Sequence, residues 1–315
     1  MYEKYYGLKE KPFSIQPDPD FLYFSKRHKL AYSMMEYGVE NRAGFTVITG
    51  EIGCGKTTLI RHLLNHLPMN ARVGLISNMS KDINDPLEWV MMSFDQPYEN
   101  KSKVALFDAF QHFLIDEYSQ ARRAVLIIDE AQNLSIKALE SLRMLSNINA
   151  DKDQLLQIVL VGQPQLMTLM QQPELQQFAQ RVSVDFHLPA LNRSEVGLYI
   201  LHRLKVGGRT KPIFTHDAIM RIGEVSGGVP RSINILCDLV LVYGFSQGLD
   251  RIGSKIVEEV FRDKQKFGIF KAPFPHHREI EPEAQPDQRE PALVIYDQKL
   301  AKEIMVKLKE GRRKA

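Results

Sequence analysis

Two cysteines, Cys54 and Cys237, in 315 residues are too few for a disulfide framework, and they fit a reduced, cytosolic setting. No apolar run approaches the roughly 20 residues a membrane-crossing helix needs. The opening Met1-Tyr2-Glu3-Lys4-Tyr5-Tyr6 lacks the build of a secretory leader. There is no internal repeat. A net charge of +3 is too small to name nucleic acid as a partner by itself. What is present, 44% hydrophobic and 25% charged residues, is the composition of a soluble globular chain. The length suits one large or two modest domains.

The densest signal is Gly50-Glu51-Ile52-Gly53-Cys54-Gly55-Lys56-Thr57-Thr58, which fits the phosphate-loop pattern G-x-x-x-x-G-K-[ST]. Phe45-Thr46-Val47-Ile48-Thr49 before it reads as a buried strand. Leu59 to Leu67 after it has the apolar spacing of a helix. Strand, glycine loop and helix are what phosphate binding needs. The glycines let backbone N–H groups close on phosphate, and the helix N-terminus adds partial positive charge. Lys56 would reach the β- and γ-phosphates, and the Thr57 hydroxyl would bind Mg²⁺. Cys54 sits where a small side chain is needed.

About seventy residues downstream, Ala124-Val125-Leu126-Ile127-Ile128-Asp129-Glu130 is an apolar run ending in two acids. A run this continuous reads as an interior strand of a parallel sheet. Carboxylates at its C-terminal end fall where open α/β sheets bind ligands. Asp129 can hold the Mg²⁺ shell, and Glu130 can polarise a water for in-line attack. Hydrolysis needs a base there; nucleotide binding alone does not.

Further strands are expected at Ala71–Ile76, Leu155–Gly162 and Val182–Leu188, the last an alternating edge strand. Helices are expected from His28 to Val39, twice between Asp85 and Tyr118, and over Ser135–Asn147. The fold class is therefore α/β, a parallel sheet sandwiched by helices. From Asn192 the pattern turns all-helical: Ser194–Lys205, Thr215–Val225, Pro230–Gln247 and Ser254–Lys266. Residues 1–30, rich in Tyr, Phe, Pro and Gly, read as a poor helix and an irregular strand. They form either a strap beside the nucleotide or a cover for the sheet edge. The expected organisation is a strap and helix over 1–43, an α/β domain over 44–191, a helical lid over 192–270, a linker over 271–291 and a basic amphipathic tail over 292–315. The stretch from Ala272 to Pro291 holds five prolines. From Lys299 on, seven Lys and Arg stand against two Glu. That tail reads as a solvated end or as a tether to protein, anionic lipid or nucleic acid.

The two nucleotide motifs with a helical C-terminal part resemble AAA+ ATPases. Tyr5-Tyr6-Gly7-Leu8, Pro12-Phe13, Pro17-Asp18-Pro19, Phe21-Leu22-Tyr23, Gly44 to Glu51, Ile128 to Leu134 and Val161-Gly162-Gln163-Pro164 narrow this. They resemble the ExeA-like family, the general secretion pathway protein A ATPases, over about residues 1–265. The resemblance implies ATP and Mg²⁺ as cofactors and a homo-oligomer, a ring or an ATP-dependent assembly. It gives Gln163 the role of orienting the attacking water or sensing the γ-phosphate, and Arg181 that of an arginine finger reaching a neighbour's ATP. In Gly228-Val229-Pro230-Arg231 it makes Arg231 a lid contact to the γ-phosphate. Either arginine could instead serve a surface salt bridge. Secretion members of the family continue into a membrane helix and a peptidoglycan-binding region; this sequence continues into a hydrophilic linker and basic tail, so the resemblance implies a motor without the anchor.

Three functions compete. One is an ATPase serving assembly of a bacterial envelope system (secretion, pilus or exopolysaccharide export), cytoplasmic or peripheral at the inner membrane, with an envelope-assembly protein as partner. The second is a DNA-associated ATPase of the transposition-regulator type. The lysine excess lies mostly in the tail and the core is nearly neutral, which favours the first. The third, a scaffold that binds without hydrolysing, has no use for Glu130.

Overall fold

In the computed structural model, residues 1–267 are described, apart from 17, 78, 81, 151 and 152. The linker and basic tail expected beyond them lie outside the described residues. The chain opens with α1 (Tyr2–Tyr6), a 3₁₀ turn at Pro19–Phe21 and α2 (Lys26–Glu40). Then come β1 (Phe45–Gly50), α3 (Lys56–His66), β2 (Ala71–Ile76), α4 (Leu87–Ser93), α5 (Lys103–Ser119) and β3 (Arg123–Ile128). After α6 (Ile136–Leu145) a short antiparallel pair, β4 (Asn149–Ala150) and β5 (Asp153–Gln154), leads into β6 (Leu156–Gly162). Short helices α7 (Gln165–Met170) and α8 (Gln176–Ala179) precede β7 (Val182–Leu188). The described chain closes with α9 (Arg193–Val206), α10 (His216–Ser226), α11 (Pro230–Ser246) and α12 (Ser254–Phe267).

The main sheet has the order β2-β3-β6-β1-β7, and every neighbouring pair is parallel. Burial follows position in the sheet. β1 and β6 are buried throughout, whereas the edge strands β2 and β7 are only partly buried. That is why the interior strands read as unbroken apolar runs. Within β3, Leu126 and Ile128 face the core under α4, α5 and α6, while Val125 and Ile127 face α2 and α3. Because all strands point one way, the loops after β1, β3 and β6 meet at one edge of the sheet, which is where the candidate site forms.

The four last helices enclose a second apolar core around Ile200, Ile222, Leu236 and Val257. Residues near the N-terminus share it, and here the sequence reading needs a correction. Tyr2–Tyr6, read as a poor helix, form α1, which ends on Gly7 at φ +65°. Intrinsic propensity is overridden by packing. Tyr2 and Tyr6 lie one turn apart and both bury in the helical core. There the Tyr2 hydroxyl meets Asp238, and the Tyr6 hydroxyl donates to the Leu249 carbonyl at 3.1 Å. Among the described residues no helix is long and apolar enough to cross a membrane.

Candidate nucleotide site

Residues 51–55 link β1 to α3 as a tight loop whose Gly53 has φ +84°. A Cβ on Gly53 would also lie 2.5 Å from the Cβ of Arg231, so only glycine fits. The N-terminus of α3 starts at Lys56, giving the loop a helix dipole aimed along its concave side. Lys56 is buried, and its Nζ donates to the Gly50 carbonyl at 2.7 Å and the Glu51 carbonyl at 3.0 Å. Burial lowers the pKa of its ammonium; Cys54, Glu130, Asp129 and Glu51 oppose that shift. The Thr57 hydroxyl donates to Asp129 Oδ2 at 2.8 Å, which brings the loop and the end of β3 together. Burial pushes the Asp129 pKa up, against the bonds it accepts from Thr57 and the Glu130 N–H. Burial also pushes the Cys54 thiol up to about 11, so it fills space and is not an ionised nucleophile at neutral pH.

Glu130 follows at φ +55°, in the left-handed region that non-glycine residues rarely adopt. Its carboxylate reaches across the strand ends to Gln163 after β6. Glu130 Oε2 accepts from Gln132 Nε2 at 2.5 Å and from Gln163 Nε2 at 3.1 Å. Gln132 Oε1 in turn accepts the Gln163 backbone N–H at 2.9 Å. Three polar side chains from the ends of β3 and β6 therefore lock one another.

Helix α11 begins beside the phosphate loop. Pro230 occupies its first turn, and the Arg231 backbone N–H donates to the Gly53 carbonyl at 3.1 Å. The exposed Arg231 side chain lines the same cavity of about 190 Å³ as Lys56, Thr57, Thr58 and Glu130. Residues from the segment 14–23, Ser14, Ile15, Asp18 and Tyr23 among them, form another wall. This wall stands beside the phosphate loop. Arg181 stands apart. It is half-buried ahead of β7, its backbone N–H donates to the Phe178 carbonyl at 2.9 Å, and it does not line this cavity.

Three participants escaped the sequence reading. Gln132 lay inside a quoted motif, yet its two-sided role depends on where β6 ends. Arg203 on α9 is buried, donates to the Pro12 and Ser14 carbonyls at 2.5 and 2.9 Å, and lies 4.6 Å over the Phe21 ring. It fastens the strap to the helical part, with Asn234 Nδ2 donating to the same Ser14 carbonyl at 3.2 Å. His28 on α2 touches the phosphate loop itself: its Nε2 lies 2.9 Å from the Cys54 carbonyl. No local pattern announces these contacts, since each joins residues far apart in the chain.

Strand, phosphate loop, helix and a carboxylate-tipped strand β3 set one strand away across β6, closed by a helical part, define an AAA+ type of P-loop fold. Comparison with known proteins agrees. Residues 39–170 match the family described as an AAA domain. The chain is 41% identical over 253 residues to general secretion pathway protein A of Aeromonas hydrophila, an alignment covering 80% of this chain and 46% of that protein. The chain thus spans less than half the length of that curated relative. Among solved structures it is similar to Cdc6p of Pyrobaculum aerophilum, with a TM-score of 0.58, 15% identity, and 81% and 71% of the two chains covered. It is also similar to the Aeropyrum pernix ORC1 protein in complex with DNA, with a TM-score of 0.55, 16% identity, and 81% and 70% covered. These two likenesses concern the fold. The chain belongs to the ExeA-like family of AAA+ ATPases.

Proposed function

We propose that the chain binds ATP with Mg²⁺ and hydrolyses it, in the service of assembling a bacterial envelope system. The observation that carries the hydrolytic reading is the Glu130 carboxylate, held by Gln132 and Gln163 at the strand ends beside the Thr57–Asp129 pair. In this reading the loop from Gly50 to Thr58 cradles the phosphates and Lys56 balances their charge. Glu130 takes the proton of the attacking water, Gln163 orients that water, and Arg231 reaches the γ-phosphate from α11. Thr57 Oγ1 and Asp129 Oδ2 are hard oxygen donors only 2.8 Å apart, a pair suited to Mg²⁺. Among the described residues no group of three or more His, Cys, Asp and Glu could hold a metal ion. Bound at the Thr57–Asp129 pair, the ion would neutralise developing phosphate charge. Phosphate release from ATP should require Mg²⁺ and vanish in EDTA; a pure chain releasing no phosphate at any concentration would refute hydrolysis.

Arg181 has a place in this reading only through a second copy. Lying outside its own cavity, it would act on a neighbour's ATP in a homo-oligomer. Arg181→Ala should lower turnover by about 10³-fold, the low end for arginine fingers, with ATP affinity little changed. Mixing Arg181→Ala with Lys56→Ala subunits should restore part of the activity, because one intact composite interface can form. Turnover independent of protein concentration, with a monomer throughout in ATP, would remove the role. The envelope assignment, with a cytoplasmic or membrane-peripheral location, rests on the likeness to general secretion pathway protein A.

A further inference from the structure

We propose that His28 is a positioning residue for the phosphate loop: by holding the Cys54 carbonyl on the α2 side, it turns the Gly55 N–H toward the nucleotide's β-phosphate. The inference rests on the nucleotide reading of the loop. It starts from a chain of contacts that ordinary phosphate-loop chemistry does not require. Ser25 caps α2, and its Oγ accepts the His28 backbone N–H at 3.2 Å. The same Oγ lies 2.8 Å from His28 Nδ1, and His28 Nε2 lies 2.9 Å from the Cys54 carbonyl.

The roles in this chain are forced. A carbonyl oxygen can only accept, so Nε2 carries the proton that bonds Cys54. In the neutral ring Nδ1 then accepts, and the Ser25 hydroxyl supplies its proton. The ring is 4% exposed, and burial lowers its pKa, which keeps it neutral at neutral pH. A neutral imidazole suffices, since one N–H donor is all the Cys54 carbonyl needs.

The consequence follows from peptide geometry. In a planar trans peptide the C=O and the next residue's N–H point in opposite directions. The Cys54 carbonyl belongs to the same peptide as the Gly55 N–H. Fixing the carbonyl toward α2 therefore fixes that N–H away from α2. Three other loop carbonyls have holders of their own: Lys56 Nζ bonds those of Gly50 and Glu51, and the Arg231 N–H bonds that of Gly53. His28 adds a fourth from a separate helix. Gly55, at φ +99°, is glycine partly for this contact, because a Cβ there would lie 3.2 Å from His28 Nε2.

The test compares ADP with AMP, which lacks the β-phosphate, on the full chain by displacement of a fluorescent ADP analogue. His28→Ala should weaken ADP binding about tenfold, the loss of one hydrogen bond to a charged group. AMP affinity should stay within about twofold of wild type, because the contact serves the β-phosphate. His28→Gln, whose side-chain amide can donate to Cys54, should recover most of the ADP affinity. If His28→Ala does not fold, His28→Met, which keeps bulk without a donor, replaces it. Unchanged ADP affinity, equal losses for ADP and AMP, or a Gln variant no better than Ala would overturn the inference. A wild-type chain that binds neither ADP nor ATP would instead sink the nucleotide reading, and this inference with it.

Discussion

Glu130→Gln should lower ATP turnover by about 10²- to 10⁴-fold, the usual contribution of a general base, while leaving ATP affinity within a few-fold of wild type. The geometry argues for such a clean separation. Glu130 Oε2 accepts from both Gln132 Nε2 and Gln163 Nε2. A glutamine carbonyl oxygen in that place accepts both bonds, so the three side chains keep their arrangement. The Thr57–Asp129 pair and the Lys56 contacts do not pass through Glu130 Oε2 and should persist. What disappears is the capacity to take a proton. The variant should therefore hold ATP uncleaved. The check is a single-turnover measurement alongside a binding titration. Turnover at the wild-type rate would take Glu130 out of the chemistry. A parallel loss of affinity would mean that the carboxylate shapes the site and does not act on water.

Much of this site was legible in the residues because it is local. The phosphate loop, its preceding strand and its following helix are contiguous, and the acids Asp129 and Glu130 close an apolar run. Interior strands such as β6 announce themselves because both faces are buried, leaving no polar alternation to confuse with a helix. The edge strand β7 was equally readable, since one side of it meets solvent and Val184 and Leu188 alternate with exposed residues. What the sequence could not supply is convergence. Arg203 looks like a surface cation on a helix, yet it is buried under the strap. Gln132 gains its meaning only once β6 delivers Gln163 beside it. His28 is a cap-proximal histidine until folding lays α2 against the loop. The short α1 failed to register for the same reason: Tyr2 and Tyr6 are ordered by a core some two hundred residues away.

Lys56→Ala should abolish measurable nucleotide binding, an affinity loss of at least about 100-fold when two charge-assisted phosphate contacts go together. Two effects add. The first is the lost ammonium, whose position over the loop is set by bonds of 2.7 and 3.0 Å to the Gly50 and Glu51 carbonyls. The second is what those carbonyls do afterwards. Without Nζ they lose their partner, and free carbonyl oxygens near the bound phosphates repel them. The loop N–H groups and the dipole of α3 survive but cannot offset both. The loop should still fold, because Gly53 stays bonded to the Arg231 N–H and Cys54 to His28. Removing a buried ammonium whose pKa burial already lowers also relieves a desolvation cost, so thermal stability without nucleotide should fall little or rise. The separating measurement pairs an ADP and ATP titration with a nucleotide-free melting curve. A melting midpoint near wild type with no binding is the expected pair. Wild-type affinity in a folded Lys56→Ala chain would mean that the loop holds phosphate by its backbone alone, and the charge assigned to Lys56 would have to be given up.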